Sequence, residues 1–290
     1  MRTEDLEALV ASIAQALNAF GIPCVLWGHC LLQVHGVPTI LGVRINTTKT
    51  IRNAVPLAFA MFCSSNALQS IDYAIPDDAL TAGSRALLGI TLAQDALLAP
   101  CPDRSSCDIL APNRPSPAPS FHVHLKDDTE VGVGLYLQRD TLWFLPPFQS
   151  TGVRARLLAP RVDSLPAPFL LATDATALPP WRPSRGSGVF TSGDGKGPVV
   201  VVKSHVLLEA LMRILARDDG TSAGSFSLAI ITYMEMYVDG DGFLDARQLP
   251  DDVRALYEQR RNRSKPLRQW KWEVKRYFGP GPAPFVAITD

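Results

Sequence analysis

One stretch near the N-terminus, beginning at Gly21, constrains the fold more than any other part of the chain. An apolar run, Pro23–Trp27, ends at Gly28, and a short amphipathic segment follows it. A second apolar run, Ser70–Ile75, carries a single acidic residue, Asp72. The pattern predicts a buried strand, a glycine turn into a helix, and a second strand that bears a carboxylate. We therefore expect an α+β fold in which helices flank a mixed sheet.

This order of strand, glycine turn, helix and acidic strand resembles the nucleotidyltransferase fold. That family has a Gly-Gly or Gly-Ser turn at the phosphates, followed by an acidic–hydrophobic–acidic triplet. The resemblance implies that Gly28, His29 and Ser70 bind a nucleotide, and that Asp72 is the catalytic and metal-binding residue. It also implies Mg2+ and a nucleoside triphosphate as ligands. The chain departs from the family twice: the triplet reads Ser70-Ile71-Asp72 without its first acid, and His29 replaces the second small residue.

The missing acid decides what function the resemblance favours. Nucleotidyl transfer needs two or three carboxylates to hold two divalent cations, and Asp72 alone is too few. Glu130 and Asp140 are candidates for an unrecognised partner acid, whereas Asp77 and Asp78 are typical of a helix cap. We expect a degenerate pseudo-enzyme that binds a nucleotide or a partner. An active metal-dependent transferase acting on a small molecule or protein, and a non-catalytic structural or interaction protein, are the alternatives.

Residues Val43–Gln69 interrupt this pattern. They mix basic and apolar residues without a clear period, and compact domains seldom hold an insert of this size. Their removal would join Gly42 to Ser70 in a tight turn, and codons resembling splice sites can encode both ends. Our hypothesis is a retained intron. The alternative is a genuine insertion with a short helix at Ala54–Cys63.

Two histidines in a later predicted strand form a less favoured metal candidate. His122 and His124 alternate within Phe121–Leu125 and therefore share one face. They can bind a transition metal if folding brings Cys30 or His35 near them. The favoured alternative is that one histidine faces solvent and pairs with an acid of the following turn.

Composition excludes several classes of protein. Lys plus Arg equal Asp plus Glu at 28 each, so no net charge attracts nucleic acid or a membrane surface. The five cysteines are odd in number and scattered, which argues against a disulfide framework. The spacing of Cys101 and Cys107 fits no common zinc pattern. The N-terminus is unlike a signal peptide and no stretch is long enough to span a membrane, so we expect a cytoplasmic protein without a membrane partner.

From residue 203 onwards the pattern becomes helical. The predicted helices are Ser204–Arg217, Ser225–Val238, Asp251–Arg261 and Lys265–Phe278. The segment LLEALMRILARDDG … YVDGDGFLDARQLP … RQWKWEVKRYFG resembles a group of uncharacterised fungal proteins. We expect a nucleotidyltransferase-like part at 1–150, a linker with short strands and a Pro/Gly-rich loop at 151–202, and a helical domain at 203–290.

Three further motifs carry less weight. Residues 239–250 resemble a calcium loop but have Leu244 and Pro250 where Gly and Glu are required. Val131–Gly134 lacks the third glycine and the helix of a dinucleotide site. The basic residues at 260–276 are interleaved with tryptophans, which we interpret as a solvated helix with its tryptophans packed inward; nucleic-acid binding is not expected.

Overall fold

The computed structural model of the chain describes residues 3–38, 70–92, 97–111, 116–126, 131–191 and 197–283. Its helices and strands follow in the order α1 (Thr3–Ala19), β1 (Val25–Trp27), α2 (Gly28–Val34), β2 (Ser70–Ile75), α3 (Leu80–Thr91), β3 (Leu98–Pro100), β4 (Phe121–Leu125), β5 (Gly132–Leu137), α4 (Gln138–Thr141), α5 (Thr151–Leu158), β6 (Phe169–Leu171), β7 (Val200–Val202), α6 (Ser204–Arg217), α7 (Ser222–Tyr233), α8 (Asp251–Arg261) and α9 (Leu267–Phe278). A π-helical segment, Met234–Asp239, extends α7, and 3-10 turns lie at Asp108–Leu110, Val162–Ser164 and Ala246–Gln248. Both interpretations of Val43–Gln69 fall outside the described residues.

Within these ranges, β1 to β5 form one mixed sheet in the order β1-β2-β5-β4-β3. β2 and β5 are parallel, and the other neighbouring strands are antiparallel. β6 and β7 form a separate antiparallel ribbon. The expectation of an α+β chain with a mixed sheet and flanking helices is therefore confirmed.

The two faces of the sheet have different chemistry. One face is apolar and carries Ile71, Tyr73, Ile75, Val123, Val133 and Leu135. Helices cover it: the Tyr73 hydroxyl donates a 2.6 Å hydrogen bond to the Val10 carbonyl of α1, and Gly83 of α3 lies against the Leu135 side chain. The opposite face bears small and polar residues, and the candidate site lies there.

The C-terminal helices join the same core. α6 is buried along most of its length and contacts α7 and α9. The Trp270 indole N–H donates a 2.7 Å hydrogen bond to the Leu256 carbonyl, which fixes α9 against α8. Among the described residues, one cluster of buried apolar side chains runs from α1 to α9.

Two patterns in the sequence predict elements that differ from those observed: Leu142–Leu145 favours a further strand beside Phe121–Leu125 and Val131–Leu137, and Asp77–Leu88 favours a helix. The residues Leu142–Leu145 form no strand but a turn after α4, because the buried amide of Gln138 bonds the Pro146 carbonyl and the Phe148 N–H of that turn. The helix expected to begin at Asp77 begins at Leu80 instead. The division of the chain into three parts stays a prediction.

Candidate functional site

The sheet register aligns Asp72 with one of the two predicted metal-binding histidines. Asp72 of β2 pairs with Gly134 of β5, and Gly134 pairs with His122 of β4. Directly paired residues project from the same face of a sheet. Asp72 and His122 therefore share the polar face, separated by two strand spacings or about 10 Å.

The neighbouring row repeats this arrangement. Ser70 pairs with Gly132, and Gly132 pairs with His124. The middle strand thus presents glycine at both positions between the polar residues of β2 and the histidines of β4. Val131–Gly134, which we excluded as a dinucleotide site, therefore separates the polar residues of β2 from the histidines of β4.

Two apolar side chains fill the space above these glycines. A Cβ on Gly132 would clash with the Cδ1 of Ile109, and a Cβ on Gly134 would lie 3.0 Å from the Pro119 Cβ. Ile109 is buried. Ile109 and Pro119 therefore form an apolar cover over β5, and they stand between Asp72 and the histidines.

Asp72 is enclosed rather than presented to solvent. It is buried, and its Oδ2 accepts a 2.5 Å hydrogen bond from the Ser70 hydroxyl. A Cβ on Gly28 would clash with the same Oδ2, and one on Gly134 would clash with Oδ1. Burial, together with the nearby Asp72 carboxylate, raises the pKa of the Cys30 thiol. Ser70 and Asp72, which the resemblance implies are ligands of a nucleotide and a metal, thus lie beneath the surface.

The glycine turn predicted to hold phosphates is also occupied. Gly28 begins α2 with a φ of 65°, a backbone conformation that favours glycine. The ring of His29 lies 5.8 Å from that of Phe226 on α7, measured between centroids. The bulkier residue at this position therefore contacts the C-terminal helices.

No second acid joins Asp72 among the described candidates. The Asp77 carboxylate accepts a 2.9 Å hydrogen bond from the backbone N–H of Arg139. Asp140 lies on α4, beyond the end of β5, and its carbonyl accepts a hydrogen bond from Arg217. Glu130 is outside the described residues. A two-cation arrangement around Asp72 therefore lacks its second carboxylate in the part of the chain that is described.

The histidines instead meet two cysteines. The ligand atoms of Cys101, Cys107, His122 and His124 all lie within 4.8 Å of one another. The Cys107 Sγ is 3.3 Å from the Nε2 of His122 and 3.5 Å from the Nε2 of His124. Both histidines are buried and both cysteines are half-buried. This set, which we call the Cys/His cluster, is the group of described residues that can hold a transition metal.

Strand pairing and a short loop bring the cysteines there. Ala99 pairs with His124 and Pro100 with Val123, so Cys101 continues β3 opposite His122 and on the same face. The loop then turns back through Asp103, whose carboxylate accepts hydrogen bonds from the Ser105 N–H and hydroxyl and from the Ser106 hydroxyl.

These hydrogen bonds stabilise the turn that precedes Cys107. The same hydrogen bonds lower the pKa of the Asp103 carboxyl, so the turn is strongest when that group is ionised. Cys107 immediately precedes the 3-10 turn that carries Ile109. The loop therefore positions both the second cysteine and part of the apolar cover.

The outcome differs from the sequence expectation at several residues. Cys30 bonds the Ser70 carbonyl and His35 bonds the Val202 carbonyl, so neither is the partner of the histidine pair. The alternative in which one histidine faces solvent is wrong, because both are buried. The spacing of Cys101 and Cys107 fits no common zinc pattern, but the fold brings both thiols to the histidine pair. Two thiols shortly before an alternating histidine pair are the signal that identifies the cluster.

Other candidate motifs are explained by structural contacts. In the calcium-like loop, Asp239 is 3.0 Å from the Arg261 guanidinium, and Asp241 pairs with Arg182 and Arg185 at 2.7 and 2.9 Å. These carboxylates neutralise arginines, which accounts for them without a calcium ion.

The basic helix α9 is partly as expected. Lys271 and Lys275 both pair with Asp219, and Trp270 is buried. Trp272, however, is 58% exposed, and the Arg276 guanidinium lies over its ring. The expectation that the tryptophans pack inward holds for one and is wrong for the other.

The chain matches no protein family, no curated protein and no solved structure. Within its described parts, no helix is both long and apolar enough to cross a bilayer.

Proposed function

We propose that this protein is a non-catalytic member of the nucleotidyltransferase fold, a pseudo-enzyme that acts by binding rather than by group transfer. The proposal depends on one observation: the lone carboxylate at the expected catalytic position, Asp72, is buried against Gly28 and Gly134 and hydrogen-bonded to Ser70. Two-metal chemistry needs open coordination positions shared by several carboxylates. An enclosed single carboxylate supplies neither.

The element order supports the fold assignment. Helix, strand, glycine turn, helix and a second strand follow one another from α1 to β2, and β2 runs parallel to β5. The family carries a further acidic residue on a later strand. Here the residues aligned with Asp72 on the neighbouring strands are Gly134 and His122. The cover formed by Ile109 and Pro119 then occupies the face where a triphosphate and its cations would lie. On this view Asp72 has become a structural residue.

Thermal unfolding with ATP, GTP, CTP or UTP, each with and without Mg2+ or Mn2+, tests the proposal. A ligand that binds only the folded protein stabilises it by about 2.7 kcal/mol at a hundredfold excess over its dissociation constant. We expect no stabilisation that requires nucleotide and cation together. Such a stabilisation in the wild type, abolished in Asp72→Asn, would overturn the proposal and favour an active transferase.

The Asp72→Asn variant is the matched control because it keeps the size of the side chain and can still accept a hydrogen bond from Ser70. Its unfolding midpoint without ligands reports whether the fold survives. A shift that depends on nucleotide alone, and is unchanged in this variant, would identify a nucleotide-binding pseudo-enzyme. The absence of any shift directs the search to protein partners.

A further inference from the structure

We propose that Cys101, Cys107, His122 and His124 bind one Zn2+ ion in a closed, structural site. The site holds residues 101–111, which follow β3, against the polar face of the sheet. This inference does not depend on the proposed function, since the cluster lies on the far side of β5 from Asp72.

The observed distances match tetrahedral coordination. Zinc bonds of about 2.3 Å to sulfur and about 2.05 Å to nitrogen, at the tetrahedral angle, separate the two ligand atoms by about 3.5 Å. The Cys107 Sγ lies 3.3 Å and 3.5 Å from the two histidine Nε2 atoms. All four ligand atoms lie within 4.8 Å of one another. A separation of 4.8 Å exceeds the roughly 3.8 Å between two sulfurs on one tetrahedral zinc ion, so the more distant side chains rotate inward by about 1 Å when one ion binds all four.

Ordinary hydrogen bonding explains this convergence less well. The Cys107 thiol can donate its proton to one Nε2 and accept a hydrogen bond from the other, but these two bonds do not require a second thiol at the same point. Cys101 brings a second thiol to the same point. A divalent cation satisfies all four groups at once, because it binds both cysteines as thiolates and releases their two protons.

The donor set selects the metal. Thiolate and imidazole ligands suit zinc, whereas Mg2+ and Ca2+ prefer oxygen ligands. Mg2+, which the family resemblance implies, is therefore not the ion for this cluster. Four protein ligands fill a tetrahedron and leave no position for a reacting water. The site is accordingly structural rather than catalytic.

The proposed zinc ion also fixes the Ile109 part of the apolar cover over β5. Cys107 is the residue before the 3-10 turn Asp108–Leu110, and Ile109 of that turn lies over Gly132. Cys101 follows β3 at the edge of the sheet. An ion that bonds both cysteines to the histidines of β4 fixes both ends of the intervening loop. Zinc thereby keeps Ile109 over the glycine of β5.

The first experiment measures metal in the full-length, untagged protein purified without added zinc or chelator. We expect about one zinc per chain by elemental analysis, and release of that zinc when a mercurial reagent modifies the thiols. After removal of zinc, Co2+ added to the reduced protein should give the intense visible absorption of a tetrahedral thiolate site. A reduced, folded chain that binds neither Zn2+ nor Co2+ would overturn the proposal, as would a stable disulfide between Cys101 and Cys107 that excludes metal.

Substitutions then assign the ligands. Cys107→Ser and His124→Asn should each lower the zinc affinity by more than the roughly 10- to 100-fold that loss of a supporting contact costs. Cys30→Ala is the matched control: it removes a buried thiol outside the cluster and should leave the stoichiometry unchanged. Equal loss of zinc in all three variants would contradict the assignment. If a ligand variant fails to fold, the cobalt spectrum and thiol-dependent zinc release of the wild type remain decisive.

Discussion

Gly134 lies where there is no room for a side chain, because other groups occupy the position that a Cβ would take. Asp72 approaches from β2, and the Pro119 Cβ would be 3.0 Å away. Gly134→Ala should therefore destabilise the protein by about 1–3 kcal/mol through overpacking beneath the cover. Gly89→Ala, on an exposed part of α3 with nothing within 4 Å, should instead stabilise it by about 0.5–1 kcal/mol. Denaturant unfolding of the two variants measures both effects, and similar free-energy changes would refute close packing at Gly134.

His35 provides a pH-dependent test at the same scale. Burial lowers its pKa to about 4, although the contact of Nε2 with the Val202 carbonyl at 3.0 Å opposes the shift. Its Nδ1 is buried without a hydrogen-bond partner among the described residues, so a proton added there is unfavourable. The unfolded chain gains this proton near its ordinary pKa of about 6.5. The contribution of neutral His35 to the free energy of unfolding is therefore fully present above pH 6.5 and is lost as the pH drops towards 4.

The expected loss across this range is about 3 kcal/mol, from about 1.4 kcal/mol per unit of pKa difference. His35→Asn removes the titrating group and should flatten that part of the profile. The measurement is the free energy of unfolding of both proteins between pH 4 and 8, taken as a difference so that other titrating groups cancel. Parallel profiles would show that His35 does not protonate on unfolding.

At the scale of elements, the loop between β3 and β4 should depend on metal. If zinc fixes Cys101 and Cys107, its removal releases the 3-10 turn and the edge strand β3 while the C-terminal helices keep their packing. Hydrogen exchange with and without chelator, read by mass spectrometry, should show faster exchange at 97–111 and 116–126 and unchanged exchange in α6. Uniformly faster exchange would mean that zinc supports the whole fold. Unchanged exchange would mean that these residues stay ordered without a metal ion.

Sequence patterns predict most elements and miss what joins them. Phe121–Leu125 alternates and Ser204–Arg217 has helical periodicity, so both were predicted with their observed bounds. The Cys/His cluster was not predicted as a unit, because it depends on Cys101 continuing β3 opposite His122. That register is set by long-range strand pairing rather than by spacing along the chain. The enclosure of Asp72 was missed for a related reason, since Gly28 at the start of α2 and Gly134 of β5 are brought to it by the fold.

At the scale of the whole molecule, Arg213 of α6 joins distant parts of the chain. Its guanidinium lies 4.5 Å from the ring centroid of Phe144, in the turn after α4, and 4.7 Å from that of Phe278 on α9. It also pairs with the buried Glu209 at 2.7 Å. One cation thus contacts two rings that are distant in sequence and a carboxylate on its own helix. Nearby, Arg217 lies over Trp143 and donates a hydrogen bond to the Asp140 carbonyl.

Arg213→Ala should therefore cost more than a surface ion pair. It removes two cation–π contacts and leaves Glu209 buried without its partner, which we expect to lower the free energy of unfolding by about 2–3 kcal/mol. Arg254→Ala is the matched control, because its partner Asp251 is 89% exposed and the expected change is within about 0.5 kcal/mol. Chemical denaturation followed by tryptophan fluorescence measures both. Equal losses would mean that the junction is held by apolar packing alone, whereas separation of the transition into two steps would mean that Arg213 couples the sheet to the C-terminal helices.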